Sequence, residues 1–332
     1  MKRLNNIYHK IISIENLRLA DINARRHKAH YRAIQAHDRH AERDLQALHE
    51  ALLNHTFHTS QYTVFKVFEP KERDIYRLPY YPDRILHHAV MQVCEPIWLK
   101  ILPHNTFSCI KGRGIDACAQ HVEKIIYKHA SSPCLYCLKI DIRKYYPSID
   151  HGVMKSIIRR KIKDKETLHL LDEIIDSTDG LAIGNYLSQS LANLYLAYFM
   201  HYVNEVLKVD AAEYADDIVF FSDDKTTLHN VLNSVKNYIE NDLKVRLKSN
   251  WQIFPIAHSR YDKRGRGLDF VGYVFFRDCR LVRKRIKKNL CRHAAKLRRK
   301  GIAPTPQNTA GWYGWLVHSD SKSLQNKIYK KS

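Results

Sequence analysis

No apolar run in this chain reaches the ~18 residues that a membrane-crossing helix needs, so a spanning protein is not expected. Met1-Lys2-Arg3 is basic, but no continuous apolar core follows it, so a secretory signal is not expected either. Internal repeats and low-complexity linkers are missing. Residues 4–54 contain neither glycine nor proline, leaving a polar, helix-compatible stretch with Leu45, Leu48, Leu52 and Leu53 toward one face. The histidines of that stretch (His27, His30, His37, His40, His49) have no clean ligand spacing and read as a solvated or RNA-facing surface. Cysteine is sparse, seven in 332 residues, and an odd number in a large chain suits the reduced thiols of a cytoplasm better than a disulfide framework. Cys134 and Cys137 form a lone C-x-x-C without a second pair at zinc-finger spacing; they lead into an apolar run, which favours strand packing. Acid is scarce as well: 34 Asp and Glu face 55 Lys and Arg, a formal net charge of +21. Such a surplus attracts phosphate backbones or anionic membranes, and without a spanning helix nucleic acid is the better partner.

The few acids are not scattered evenly. Tyr214-Ala215-Asp216-Asp217 sits between two short apolar, β-prone runs, a strand–turn–strand pattern with acids at the tip. Upstream, Leu135–Asp141 reads as another strand ending in an acid. If these strands lie side by side, Asp141, Asp216 and Asp217 converge. Clustered carboxylates are costly unless cations neutralise them, and carboxylate oxygens are preferred ligands of Mg²⁺. Two metals held by such acids can activate an attacking oxygen and stabilise a leaving one in phosphoryl transfer. The plain alternative is a solvated acidic turn.

About two domains fit the chain length. Residues 61–79 read as a hairpin, with Tyr62–Phe68 going out, Glu69–Arg73 turning and Ile75–Leu78 returning. Helices are expected from Pro82-Asp83, over 115–129, after Asp150 as an N-cap, after Ser188 (with Leu191, Leu194, Tyr195, Tyr198, Tyr202 and Val206 on one face), and over 228–243. This order describes an α+β domain with an antiparallel sheet. From Arg280 to Lys300 there are 11 Lys or Arg residues and no acid, on a helix-compatible stretch with Leu290, Ala294 and Leu297 marking one face. It is either a solvated face or a phosphate-binding one.

Taken together these residues resemble reverse transcriptases over nearly the whole chain after about residue 60. Tyr214–Asp217 matches the family's Tyr-x-Asp-Asp hairpin, and Asp141 with the following Tyr145-Tyr146-Pro-Ser-Ile-Asp matches its first catalytic block. Lys71-Glu-Arg73 followed by Pro82-Asp83-Arg84 resembles the fingers hairpin and the helix after it. Phe107–Ile115 resembles a Gly-rich block of prokaryotic retroelement enzymes, Asp269–Tyr273 the primer grip, and Trp312–His318 a thumb block. Most of the family carries Gln-Gly-x-x-x-Ser-Pro before the long palm helix; here the block is Ile183-Gly184-Asn185-Tyr186-Leu187-Ser188-Gln189. That form, and Asn250-Trp251-Gln252, is similar to the enzymes of diversity-generating retroelements, compact proteins without maturase, endonuclease or RNase H domains.

The resemblance implies a right-hand polymerase fold. It would comprise an N-terminal helical extension (1–60), fingers (61–135 with 151–180), an antiparallel-sheet palm (136–150 and 181–277) and a short basic helical thumb (278–332). It implies an RNA-dependent DNA polymerase in the cytoplasm of a bacterium or archaeon, or encoded by a phage. Such an enzyme copies its retroelement template RNA into cDNA from deoxynucleoside triphosphates, with errors at adenines. A small basic helical-bundle accessory protein would assist it, and no membrane is involved. Two Mg²⁺ ions, with Mn²⁺ as an alternative, would be held by Asp141, Asp216, Asp217 and the carbonyl of Ile142, whose side chain reads equally as core. Nucleotide binding would fall to Lys71, Arg73, Tyr146, Ile183, Gly184 and Gln189, with Arg77 and Arg84 as other registers for the cations and Tyr145 as the other candidate for the sugar gate. Because side chains alternate along a strand, only one of the two tyrosines is expected to face the site. Template and primer would meet Lys111, Gly112, Arg113, Gly114, Gly272, Tyr273, Arg283, Lys284 and Lys287. Gly272 also reads as a plain turn glycine. The other readings are a retron, group II intron-like or phage-defence reverse transcriptase, or an inactive RNA-binding scaffold.

Overall fold

The computed structural model describes residues 3–68 and 72–329, so Lys71 lies outside the described residues. Nine strands occur among them: β1 (Thr63–Phe68), β2 (Glu72–Arg77), β3 (Tyr136–Asp141), β4 (Asp210–Tyr214), β5 (Asp217–Ser222), β6 (Gln252–Pro255), β7 (Leu268–Phe270), β8 (Tyr273–Phe275) and β9 (Arg280–Val282). Every paired strand is antiparallel to its neighbour. The chain divides into two compact units, neither of them contiguous. The first is Met1–Pro103, Ile142–His201 and Lys236–Leu247; the second is His104–Asp141, Tyr202–Val235 and Lys248–Ser332.

The first unit is mainly helical. As the missing Gly and Pro predict, its N-terminal part is a set of helices, Tyr8–Ile12, Ile14–Ala24, Arg32–Asp38 and Ala41–Leu53. Leu45, Leu48 and Leu52 are buried, but Leu53 is 57% exposed and falls off the expected face. Two backbone N–H groups, of Ile7 and Tyr8, donate to the Asp164 carboxylate at 2.6 and 2.8 Å and tie the first helix down. The histidine surface is only partly as expected. His27, His30 and His40 are exposed, whereas His37 is buried, its Nδ1 3.0 Å from an Asp44 oxygen and its ring stacked on Tyr81. The carboxylate and the aromatic face give the buried ring partners in place of water.

The β1–β2 hairpin pairs Thr63 with Arg77 through Phe68 with Glu72. Its return strand therefore begins earlier than the sequence suggests. Glu72 and Arg73 belong to β2 rather than to the turn, because β1 supplies a full antiparallel partner and Lys66 forms an ion pair with Glu72 across it. The helix behind Ser188 runs Ser188–Tyr202, with Leu191 to Ala197, Phe199 and Met200 all buried. Burial on all sides marks a core helix, not a one-faced one; Val206, expected on its face, lies past its end and is 63% exposed. Asp150 caps its helix as expected, accepting from the Val153 N–H at 2.8 Å. The helix read over 228–243 begins earlier, running Lys225–Asn237 and ending in a wider turn.

The second unit is built on a four-stranded sheet of order β4–β5–β3–β6. The helix Ile115–Lys128 covers one face, where Cys118, Val122 and Ile126 pack with Cys137, Ala212, Val219 and Phe221. Cys137 is fully buried there, which bears out the strand-packing reading of the C-x-x-C. Burial of each large side chain stabilises the unit by about 1.5–3 kcal/mol. A second sheet, β7–β8–β9, leads into the helices Lys284–Arg299, Ala310–Val317 and Lys322–Tyr329, which close around Leu290, Ala294, Leu316 and Ile328.

Between β7 and β8, Val271 (φ 41°) and Gly272 (φ 86°) make a two-residue turn in the left-handed region. A Cβ on Gly272 would come within 2.3 Å of the Trp315 ring. Gly272→Ala is therefore expected to destabilise the second unit by about 2–3 kcal/mol, from the unfavourable φ and the overpacking together. A urea titration followed by tryptophan fluorescence checks this.

Candidate active site

The register of β3 against β5 decides the geometry. Asp141 pairs with Asp217, Lys139 with Val219 and Cys137 with Phe221, so these six side chains share one face of the sheet. Deep in the sheet that face is apolar. At the strand ends it turns ionic, and two carboxylates stand opposite each other. Asp216 is carried by the β4–β5 turn itself, since Tyr214 pairs with Asp217 and only Ala215 and Asp216 lie between. Ala215 sits at φ 56°, a conformation that costs a non-glycine residue roughly 1–2 kcal/mol. The convergence of Asp141 with the Tyr214–Asp217 turn, conditional in the sequence, is thus present in the fold.

Two lysines hold the carboxylates. Lys139, two residues before Asp141 on the same face, reaches diagonally so that its Nζ lies 3.1 Å from an Asp217 oxygen and 2.8 Å from the Asp269 carbonyl. The ammonium also lies 5.6 Å from the centre of the Phe270 ring. Lys248 donates its backbone N–H to the Asp141 carbonyl at 2.8 Å, and its ammonium pairs with the Asp141 carboxylate. The Asp217 carboxyl is raised above the usual carboxylate range. Burial is the main cause, Lys139 opposes it, and Asp141 and Asp216 push it further up. The other Asp217 oxygen, Oδ1, is buried without a hydrogen-bond partner.

Among the described residues no three or more His, Cys, Asp or Glu side chains are drawn into a ready-made metal cage. The donor set nonetheless fits a hard divalent cation: it is all oxygen, mutually repulsive, and holds a buried oxygen that nothing satisfies. Asp217 opens onto a cleft of about 420 Å³ that Lys139, Gln252, Arg266, Asp269 and Arg283 also line.

Behind the turn lies a group that the sequence did not single out. Glu213 on β4 is wholly buried; Thr106 donates its hydroxyl to Oε2 at 2.8 Å, and Oε1 has no partner. The Glu213 backbone is bonded on both sides to the 105–107 segment, through Asn105 O at 2.9 Å and Phe107 N at 3.1 Å. Burial pushes the Glu213 carboxyl up to about 8, with the Thr106 hydrogen bond opposing. A lone Glu inside an apolar strand was the available signal.

The other expected site residues are distributed as follows. In the second unit, Lys111 is exposed, Arg113 is half-buried, and a Cβ on Gly112 (φ 78°) or Gly114 would meet only open space. Tyr273 is buried, with its hydroxyl 3.2 Å from Asp116, so its ring is not presented to a bound strand. Arg283 is engaged by Asp269, while Lys284 and Lys287 are exposed on the basic helix.

In the first unit, Ile142 is fully buried and bridged to Leu247. Tyr145 and Tyr146 lie in a helical turn, Tyr145–Ser148, rather than on a strand. Strand alternation is thus not what separates them. Tyr145 is buried and donates to the Ala192 carbonyl at 2.6 Å, leaving Tyr146 the more exposed. Gly180 (φ 64°) passes so close beneath this turn that a Cβ would meet the Tyr146 carbonyl at 2.5 Å. Ile183 is half-buried and accepts from the Tyr76 N–H at 2.8 Å, Gly184 (φ 123°) abuts the Tyr76 carbonyl, and Gln189 is exposed. Arg73 is exposed on β2.

The antiparallel sheet with paired acids at its strand ends, together with the helical parts, defines an α+β right-hand polymerase fold with fingers, an antiparallel-sheet palm and a short helical thumb. The family model described as reverse transcriptase (RNA-dependent DNA polymerase) matches residues 69–253, more than half of the chain, and the chain belongs to that family. It is 22% identical over 233 residues to Protein YkfC of Escherichia coli (strain K12), an alignment covering 66% of this chain and 56% of that protein. Its fold is similar to apo telomerase from Candida tropicalis (TM-score 0.51, 11% identity, 66% of this chain and 47% of that one). It is also similar to telomerase from Candida albicans bound to a fragment of telomeric RNA (TM-score 0.50, 10% identity, 86% and 61%). The chain spans about half the length of these relatives. No helix among the described residues is long and apolar enough to cross a membrane.

Glu213 yields a pH prediction. Its carboxyl is raised in the folded state from an ordinary 4.5 to about 8, so its stabilising share is complete below pH 4.5 and is lost as the pH climbs to about 8. Glu213→Gln keeps a neutral acceptor for Thr106 and should remove this alkaline loss, on the order of a few kcal/mol. Melting temperatures of parent and variant from pH 5 to pH 9 should diverge on the alkaline side.

Proposed function

We propose that this chain is an RNA-templated DNA polymerase of a diversity-generating retroelement. It would copy the element's template RNA into adenine-mutagenised cDNA from deoxynucleoside triphosphates, in a prokaryotic cytoplasm and with a small basic accessory protein. The observation that carries the polymerase reading is the β3–β5 register, which sets Asp141 against Asp217 beside the turn bearing Asp216. Bound there by Asp141, Asp216, Asp217 and the Ile142 carbonyl, two Mg²⁺ ions, or Mn²⁺, would supply charge neutralisation and an activated 3′ oxygen.

The remaining roles belong to the chain's own residues. Lys71 and Arg73 neutralise the incoming triphosphate. Tyr146 packs under the sugar and excludes a 2′-hydroxyl; the Gly180 loop sets the height of its turn. Lys111, Arg113 and the glycines between and after them let the template backbone approach. The Val271–Gly272 turn and the basic residues Lys284 and Lys287 serve the primer and the duplex, with Arg283 reaching them only if it leaves Asp269.

The subgroup rests on Ile183, Gly184 and Gln189. Where most of the family has Gln, the Ile183 side chain offers no hydrogen bond to an incoming nucleotide. Accuracy is a difference between right and wrong transition states, so losing an orienting contact shrinks it.

Asp216→Asn is expected to abolish primer extension, at a cost of several kcal/mol in the transition state, while RNA binding stays close to that of the parent. Normal extension by this variant would remove Asp216 from the chemistry. Ile183→Gln should lower misincorporation opposite template adenines by roughly two- to tenfold, more than opposite other bases. Deep sequencing of cDNA from a defined RNA reads this out. An unchanged adenine error rate would detach Ile183 from fidelity and weaken the subgroup reading.

A further inference from the structure

Lys139 and Lys248 stand outside the short motifs that resemble the family, yet each takes one oxygen of a carboxylate that the chemistry needs. The Lys139 ammonium occupies one Asp217 oxygen and Lys248 occupies Asp141. Both pairs are half-buried, with side-chain exposures of 27–32%, so water screens them only in part. Each lysine is also held by a second bond, Lys139 to the Asp269 carbonyl and Lys248 through its own backbone to Asp141, so neither is a loosely tethered surface cation. Three carboxylates with two ammonium groups carry a net charge near −1, against −3 without them. An ammonium group held on a carboxylate repels a divalent cation that approaches the same carboxylate.

We propose that Lys139 and Lys248 are built-in counter-ions that compete with the divalent cation for Asp217 and Asp141 and thereby set the site's cation affinity. The inference rests on the active-site reading above. In the resting protein the lysines keep the repelling acids together. A divalent cation entering at the open Asp217 oxygen works against the two ammonium charges and pushes them aside, and that work weakens its apparent affinity. A freed Lys139 ammonium would remain in the cleft with Arg266 and Arg283, where it adds positive charge facing a phosphate backbone.

The test uses the full chain without nucleic acid or nucleotide. Mg²⁺ is titrated against melting temperature, and Mn²⁺ binding is read by electron paramagnetic resonance. The parent, Lys139→Gln, Lys248→Gln, Lys139→Arg and Asp216→Asn are compared. Each Gln variant should melt lower without divalent ion and show a titration midpoint roughly two- to fivefold below the parent's, the range expected of one partly exposed charge pair. Lys139→Arg keeps the competing cation and should titrate like the parent. A purely structural role for the lysines would loosen the site and weaken cation binding; only competition strengthens it. Midpoints equal to or above the parent's in both Gln variants would overturn the proposal. Should a variant melt too low for the thermal assay, Mn²⁺ binding to variant and parent, both folded at about 10 °C, gives the comparison of midpoints instead. A parent that shows no saturable cation effect, or an Asp216→Asn variant that keeps the whole of it, would overturn the active-site reading itself and the proposal with it.

Discussion

Everything at the candidate site depends on a repulsion that the sheet forces on the chain. Antiparallel pairing of β3 with β5 puts Asp141 and Asp217 directly opposite each other on one face of the sheet. The pairing survives because the same strands bury Cys137, Leu138, Ile140, Ile218, Val219, Phe220 and Phe221 almost completely. The apolar length of the strands holds the register, and the register holds the acids. Lys139 and Lys248 then offset part of the charge, and burial of Asp217 adds to the need for a cation.

This division of labour explains what was legible beforehand. The strands, the acidic turn and the helix 115–128 could be read because their signals are local: alternation, a β-prone run, an amphipathic period. The turn chemistry of Asp150 was legible for the same reason. Arg73 was misplaced into a turn because strand length is set by the partner strand, which local composition does not reveal. His37 was read as surface because its reasons for burial, Asp44 and Tyr81, come from elsewhere in the chain. Val206 and Leu53 were placed by period alone, and the helix end and the packing overrode it.

The convergence of Asp141 with the Tyr214–Asp217 turn was legible, and its surroundings were opaque. Glu213, Thr106 and the two lysines act through long-range contacts, and only the fold supplies those. Gly180 is the same kind of case, since what makes a side chain intolerable there is a carbonyl more than thirty residues away. Tyr145 and Tyr146 were separated through an expected strand that is in fact a helical turn; burial of Tyr145 against the Ala192 carbonyl is what sets them apart.

The interleaving of the two units has a consequence for how the protein can be taken apart. Each unit is assembled from three separate stretches, and the chain changes unit immediately after Asp141. No single cut releases either unit whole, and a clipped fragment would lack strands or helices that its remainder needs. Exchanging the sheet-bearing unit with that of a relative would take five splices, one of them at the very peptide bond that follows Asp141. Point substitution and additions in loops disturb neither unit's assembly, whereas exchange of a unit disturbs both at once.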